Sequence, residues 1–285
     1  MRIEKVMMDL ILKKAMNDER IRACFLNGSR ADVNASHDKY CDYDIVYVVN
    51  DIRSFTNGIC WIDYFGDMLI IQKPEDWYNH PYDYNGTERF SYLMQFIDGT
   101  RIDLSLVDVT QISSINTEKE PRIILLDKDK RKELYDVPVG DIYNIQRPTY
   151  KEYLDTCDEF WWLAVNVAKG ICREEFVFVK TYMEQYEMNM LLKMLSWKIG
   201  IDNDFKVSVG KCYKYLTRYL SEDDMKRVMN LYPSGNYQDM KEKLFNMFDY
   251  FQELSREVSD YFDFKYNEEE ATNVSKFVVR MLGEK

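Results

Sequence analysis

Two halves of different character predict an α+β chain: an N-terminal mixed sheet flanked by helices, followed by a C-terminal helical bundle. The first half carries short runs of β-branched and aromatic residues broken by turn signals. The second half shows helical periodicity throughout. The 285 residues suit one large domain or two ordinary ones, and a hydrophobic content of 46% is ample for packed cores. We therefore expect domains at 1–145 and 146–285, with a cleft between them as the natural ligand site.

The elements follow in order. Ile3, Met7, Leu10 and Ile11 fall on one helical face, with Asp9, Lys13 and Lys14 around them, so an amphipathic helix is expected here rather than a signal peptide. Residues 21–26 read as a short strand running into a turn at Gly28. Residues 43–49 are strongly β-prone, and 68–72 make a further strand. Within 90–107, two apolar runs flank Asp98-Gly99, the strongest local hairpin signal. Residues 123–126 add a last strand or a helix turn.

Gln146-Arg147-Pro148 marks the junction. Thr149, with Glu152 three residues on, forms a capping box that satisfies free N–H groups at a helix start. Helices are expected at about 149–171, 174–199, 211–220, 222–231, 236–262 and 267–282. The last opens with Asn267 and three glutamates at the positive end of the helix dipole.

A net charge of −11 makes nucleic acid a poor partner, because a nucleic-acid binder needs a basic surface. A cationic small molecule suits an acidic cleft better, although most of these charges serve solubility. The six cysteines form no C-x-x-C, so neither a disulfide framework nor a zinc site is expected, and a reducing cytosol is the expected compartment. Only His37 and His80 exist, which excludes a multi-histidine metal site. No apolar run approaches the length of a membrane span.

The chemistry concentrates in a few residues. Asp42 and Asp44 stand two apart at the head of a strand, so their carboxylates share a face and repel unless a cation sits between them. Hard divalent ions such as Mg²⁺ take one or two carboxylates together with substrate phosphates. Upstream, Gly28-Ser29-Arg30 offers backbone N–H groups, a hydroxyl and a guanidinium to a phosphate. Asp103 sits in the middle of an apolar strand, where an unpaired charge is expensive. Either it joins the Asp42–Asp44 cluster from a neighbouring strand, as metal ligand or general base, or it faces solvent or pairs with Arg101.

These motifs, in this order, are similar to those of polymerase-β-type nucleotidyltransferases. More closely, Leu26-Asn27-Gly28-Ser29-Arg30, Asp42-Tyr43-Asp44-Ile45, Gln72-Lys73-Pro74-Glu75-Asp76, Arg101-Ile102-Asp103-Leu104, Leu125-Leu126-Asp127-Lys128-Asp129, Arg147-Pro148-Thr149 and Asp158-Glu159-Phe160-Trp161 resemble the aminoglycoside 6-adenylyltransferases. The resemblance covers nearly the whole chain. It implies transfer of AMP from ATP to a hydroxyl of an aminoglycoside, most simply streptomycin, with Mg²⁺ required and pyrophosphate released. It also implies that Asp42 and Asp44 bind metal, that Asp103 is the third carboxylate or general base, and that Gly28, Ser29 and Arg30 hold the triphosphate.

In related antibiotic nucleotidyltransferases a lysine of the helical domain reaches the triphosphate, and Lys211 is the candidate here. Asp158, Glu159 and Trp162 on the first long helix are candidates for the cationic acceptor, because acids pair with guanidinium or ammonium groups and an indole packs on a cation. One of Trp161 and Trp162 is expected to be buried. The rival reading is a catalytically silent nucleotide-binding or toxin–antitoxin-type protein of the same fold; such relatives often lose a carboxylate, and Asp42, Asp44 and Asp103 are all present.

Overall fold

In the computed structural model the chain forms two compact units, Met1–Ile142 and Tyr143–Lys285. The structure describes residues 1–32, 35, 37–58, 61–78, 88–117, 120–135 and 142–283. Cys60 and His80 lie outside the described residues.

The first unit is a mixed sheet of β1 (Ile21–Leu26), β2 (Tyr43–Val49), β3 (Met68–Gln72), β4 (Arg89–Phe96), β5 (Arg101–Asp108) and β6 (Ile123–Asp127). Their spatial order is β3-β4-β5-β2-β1-β6. Neighbours are antiparallel except β2 and β5, which run parallel at the centre. Three helices accompany the sheet: α1 (Glu4–Asn17), α2 (Arg53–Thr56) and α3 (Ile112–Thr117).

Strand alternation divides the core into two layers. Ile45, Tyr47 and Val49 pack with Met7, Ile11 and Ala15 of α1. Val46 and Val48 point the other way and pack with Phe25, Val107, Ile112 and Ile115. The buried Tyr47 hydroxyl donates to the Ile11 carbonyl at 2.7 Å, tying α1 to the central strand. The apolar stripe of α1 starts later than its sequence suggests. Ile3 is the extended residue before the helix and is 67% exposed, so the helical periodicity does not reach it.

The β4–β5 hairpin turns at Asp98-Gly99. Gly99 takes φ +85°, a conformation glycine adopts without strain, and Asp98 accepts the Thr100 N–H at 2.9 Å. The open choice at 123–126 resolves as strand, because β6 pairs antiparallel with β1.

The second unit contains α4 (Tyr150–Cys172), α5 (Phe176–Thr181), α6 (Met188–Asp202), α7 (Glu222–Met229), α8 (Tyr237–Phe262) and α9 (Glu268–Gly283). The capping box forms as expected: Thr149 Oγ1 accepts from the Glu152 N–H, and Glu152 accepts from the Thr149 N–H at 2.8 Å. One core joins these helices around Trp161 and the stacked pair Phe160 and Phe251, whose ring centroids lie 3.7 Å apart. No helix among the described residues is long and apolar enough to cross a membrane. The five described cysteines are free thiols.

Two helical expectations need correction. The segment 174–199 is not one helix, because the π-helical turn Tyr182–Glu187 separates α5 from α6. The segment 211–220 is no α-helix but two 3₁₀ turns, Lys211–Tyr213 and Leu216–Arg218. The backbone explains the second case: Gly210, Cys212 and Tyr213 take φ of 71°, 53° and 59°, which no right-handed helix contains.

The π turn ends on an unusual core residue. Glu187 is 0% exposed, and neither carboxyl oxygen has a hydrogen-bond partner among the described residues. Burial alone pushes its pKa well above the ordinary carboxylate value. A buried polar group without a partner costs about 1–3 kcal/mol. Because the folded form holds this proton more tightly than the unfolded chain, the contribution of Glu187 to stability is greatest at acid pH. It falls as pH rises above the unfolded value toward the raised folded value. Glu187→Met, an unbranched apolar replacement, should therefore raise the thermal midpoint by about 2–6 °C at about pH 8. It should raise it less at about pH 5. Thermal scans at the two pH values check this, and an equal gain at both would show that Glu187 is not proton-linked.

Candidate active site

The parallel pairing of β2 with β5 sets Asp44 directly beside Asp103. Strand alternation puts both on the sheet face that carries Val46, Val48 and Val107, with Arg101 two residues before Asp103 on that same face. Asp42 lies two residues before Asp44, at the mouth of β2.

The Gly28–Arg30 turn closes over this point. It follows β1, which neighbours β2, and the Asn27 N–H donates to the Asp44 carbonyl at 2.9 Å. Gly28 has φ +64° and lies against the Asp44 carboxylate. A Cβ there would stand 2.7 Å from Asp44 Cγ and closer still to Oδ2. Glycine is thus required twice, by backbone conformation and by contact.

The neighbouring carboxylates raise the proton affinity of Asp44. Burial first, then the charges of Asp103 and Asp42, push the Asp44 pKa up to about 6, while Arg101 pulls the other way. Arg101 sits among the acids. Its Nε and Nη2 donate to the two Asp103 oxygens at 2.8 and 2.7 Å, and Nε lies 3.6 Å from Asp42 Oδ2. Both sequence alternatives for Asp103 therefore hold at once: it joins the cluster and it pairs with Arg101. Among the described residues no three His, Cys, Asp or Glu side chains are gathered so as to hold a metal ion. The acids are arranged around a guanidinium instead. As a donor set they still fit Mg²⁺: they are hard oxygens, adjacent, charged, and already drawing a cation.

Ser29 lies in the turn and its carbonyl accepts from His37 Nε2 at 2.9 Å. Arg30 is engaged by its own loop. Its guanidinium donates to the Asp42 and Cys41 carbonyls at 2.9 and 3.1 Å, pairs with Glu4 at 3.2 Å and lies 3.9 Å above the Tyr43 ring. With 9% of the side chain exposed, it braces the loop that carries Asp42.

Sequence reading quoted Asn27 without giving it a role and missed Glu120. Asn27 Nδ2 donates to Glu120 Oε2 at 3.2 Å, and the Glu120 charge adds to the negative field on Asp44. Nothing local marks Glu120, which lies just before β6 in a polar stretch. Three other quoted segments are structural. Glu75 accepts from the Ser91 N–H and hydroxyl, both at 2.9 Å. Asp127 accepts from the Arg131 N–H at 2.7 Å. Arg147 lies 4.4 Å over the Phe205 ring.

The candidates of the second unit fall in two places. Lys211 is exposed in the first of the 3₁₀ turns. Asp155, Asp158, Glu159 and Trp162 form an i, i+3, i+4, i+7 stripe on α4, and with Glu270 and Val274 of α9 they line a pocket of about 830 Å³. Trp161 is buried and Trp162 is 71% exposed, as expected of the pair. Asp155 also pairs with Lys151 one turn earlier.

Known proteins share this chain's sequence along nearly its whole length. The family model described as streptomycin adenylyltransferase matches residues 1–281. An aminoglycoside 6-adenylyltransferase of Campylobacter jejuni is 38% identical over 98% of this chain and 96% of its own. That of Bacillus subtilis (strain 168) is 36% identical over 93% of each. A crystal structure of an aminoglycoside 6-adenyltransferase from Bacillus subtilis is 33% identical and covers 99% of both chains, with a TM-score of 0.49. By sequence, this chain belongs to the streptomycin adenylyltransferase family and is an enzyme of the nucleotidyltransferase class.

Proposed function

We propose that this enzyme transfers AMP from Mg²⁺–ATP to a hydroxyl of a cationic aminoglycoside, with streptomycin the expected acceptor, and so gives resistance to the drug in the cytoplasm. The observation that carries the reading is the Asp44–Asp103 register under the Gly28 turn, in a chain of this family.

In this reading the first unit is the catalytic domain. Asp42 and Asp44 hold the ion, which when bound supplies charge neutralisation at the reacting phosphate. Backbone N–H groups of the turn and the Ser29 hydroxyl hold the triphosphate oxygens. Arg30 keeps that turn rigid. The acceptor oxygen attacks the α-phosphorus, the bond to the β-phosphate oxygen breaks, and pyrophosphate leaves. Asp103 takes the hydroxyl proton on its carboxylate. Lys211, exposed in the second unit, is the lysine that the family resemblance assigns to the triphosphate.

The second unit supplies the acceptor site. The pocket of α4 and α9 brings four carboxylates to one exposed indole face. A polycation with sugar rings matches that chemistry through charge-assisted hydrogen bonds and packing on Trp162.

Pyrophosphate release over a panel of aminoglycosides, streptomycin included, tests the activity. Release with none of them would end the aminoglycoside reading. Asp44→Asn should abolish AMP transfer and slightly raise the thermal midpoint, since it removes a repelled, partly buried carboxylate; retained transfer would remove Asp44 from the metal site. Gly28→Ala should lower turnover by about a hundredfold, the effect expected of displacing a reacting group by about an ångström. Unchanged kcat would show that the turn does not set the Asp44 position. Asp158→Asn with Glu159→Gln should raise KM for the drug by about tenfold, a loss of about 1.4 kcal/mol in ground-state binding, and leave KM for ATP alone. Steady-state kinetics in both substrates separates these outcomes, and a shift in KM for ATP alone would move the acceptor site elsewhere.

A further inference from the structure

Arg101 sits in the carboxylate cluster and the reaction scheme above does not use it. It is also placed where that scheme needs room. Its guanidinium grips both oxygens of Asp103 and stands 3.6 Å from Asp42. Its own pKa is raised, chiefly by the hydrogen bonds to Asp103 and then by the charges of Asp103, Asp42 and Asp44. Every acid of the set therefore acts on this one cation. The side chain is 40% exposed and has solvent into which it can swing.

We propose that Arg101 is a resident counter-ion that holds the cluster together and caps Asp103, and that a divalent cation entering at Asp42 and Asp44 displaces it. This inference rests on the reading of Asp42 and Asp44 as metal ligands. The physical reason is competition for one site. A guanidinium this close to Asp42 repels a divalent ion bound to the same carboxylate, and the bidentate bond to Asp103 leaves that acid's oxygens engaged. The divalent charge wins the carboxylates because it offers twice the charge in a smaller volume. Withdrawal of Arg101 then frees both Asp103 oxygens. The acid that receives the hydroxyl proton is thus uncapped only when the metal is in place. Arg101 is a positioning residue in this scheme, acting through Asp103 and Asp42.

The sign of the effect on metal affinity distinguishes this role from a merely structural one. Loss of a structural brace would loosen the cluster and weaken metal binding. Loss of a competing cation strengthens it. The test titrates the full-length protein with Mn²⁺ and reads free Mn²⁺ by electron paramagnetic resonance. Arg101→Gln should bind Mn²⁺ about tenfold more tightly than the unaltered protein. Arg101→Lys keeps the charge but cannot grip both Asp103 oxygens in one plane, so its affinity should fall between the two. If Arg101→Gln does not fold, Arg101→Lys alone must still bind Mn²⁺ more tightly than the unaltered protein. Equal or weaker binding in the folded variants overturns the proposal. Asp44→Asn separates the two layers of the argument. If Mn²⁺ binding is lost in Asp44→Asn yet unchanged by the Arg101 substitutions, the counter-ion role fails and the metal site stands. If Mn²⁺ binding ignores Asp44→Asn, or is absent throughout, the metal site fails and the counter-ion role with it.

Discussion

Two carboxylates forced side by side by a parallel strand pair are the constraint on which the first unit turns. Asp44 and Asp103 are register partners in β2 and β5, so the backbone hydrogen bonds of the sheet hold them together whatever their charges prefer. Their repulsion, added to burial, lifts the Asp44 pKa to about 6, which still leaves it ionised near neutral pH. A fold that merely needed stability would put apolar residues at these two positions. Keeping acids there, with Asp42 beside them, stores a negative field that a cation relieves. Arg101 provides that relief in the structure.

The rest of the first unit can be read as support for that pair. The two core layers clamp β2 from both faces, through Tyr47 and α1 on one side and through Val46, Val48 and α3 on the other. The Gly28 turn fits against Asp44 with no room for a side chain, and Arg30 holds its flank by gripping the carbonyls of Cys41 and Asp42. Rigid carboxylates, once placed, need no reorganisation when charge develops in a phosphoryl transfer. In the second unit the same logic is looser. The acids of α4 stand on an exposed helical face, where solvent screens them.

Much of this was legible in the amino-acid order because it depends on local rules. Runs of β-branched, aromatic and other apolar residues marked β1 to β5, Asp98-Gly99 marked the hairpin, and Thr149 with Glu152 marked the start of α4. The motifs around Gly28, Asp42, Asp44 and Asp103 pointed to the nucleotidyltransferase class. What escaped depends on distant partners or on backbone states without a side-chain signature. The π turn before α6 leaves the helical period nearly intact in sequence, and the left-handed residues at Cys212 and Tyr213 occur in types that rarely adopt that conformation. Glu187 carries no signal of its own within the helix expected at 174–199.

The sequence by itself determined the element types, the division into two halves and the supply of acids, because hydrophobic period, turn chemistry and residue type are properties of short segments. Only the tertiary structure decided how those acids are neutralised. Arg30 read as a cation for a phosphate and Arg101 as one possible partner of Asp103; in the fold Arg30 holds loop carbonyls, and Arg101 grips Asp103 while standing beside Asp42. Glu120 enters the field of Asp44 from 76 positions further along the chain. Electrostatic partnership is set by separation in space, and only folding, here the pairing of β2 with β5 and of β1 with β6, fixes that separation.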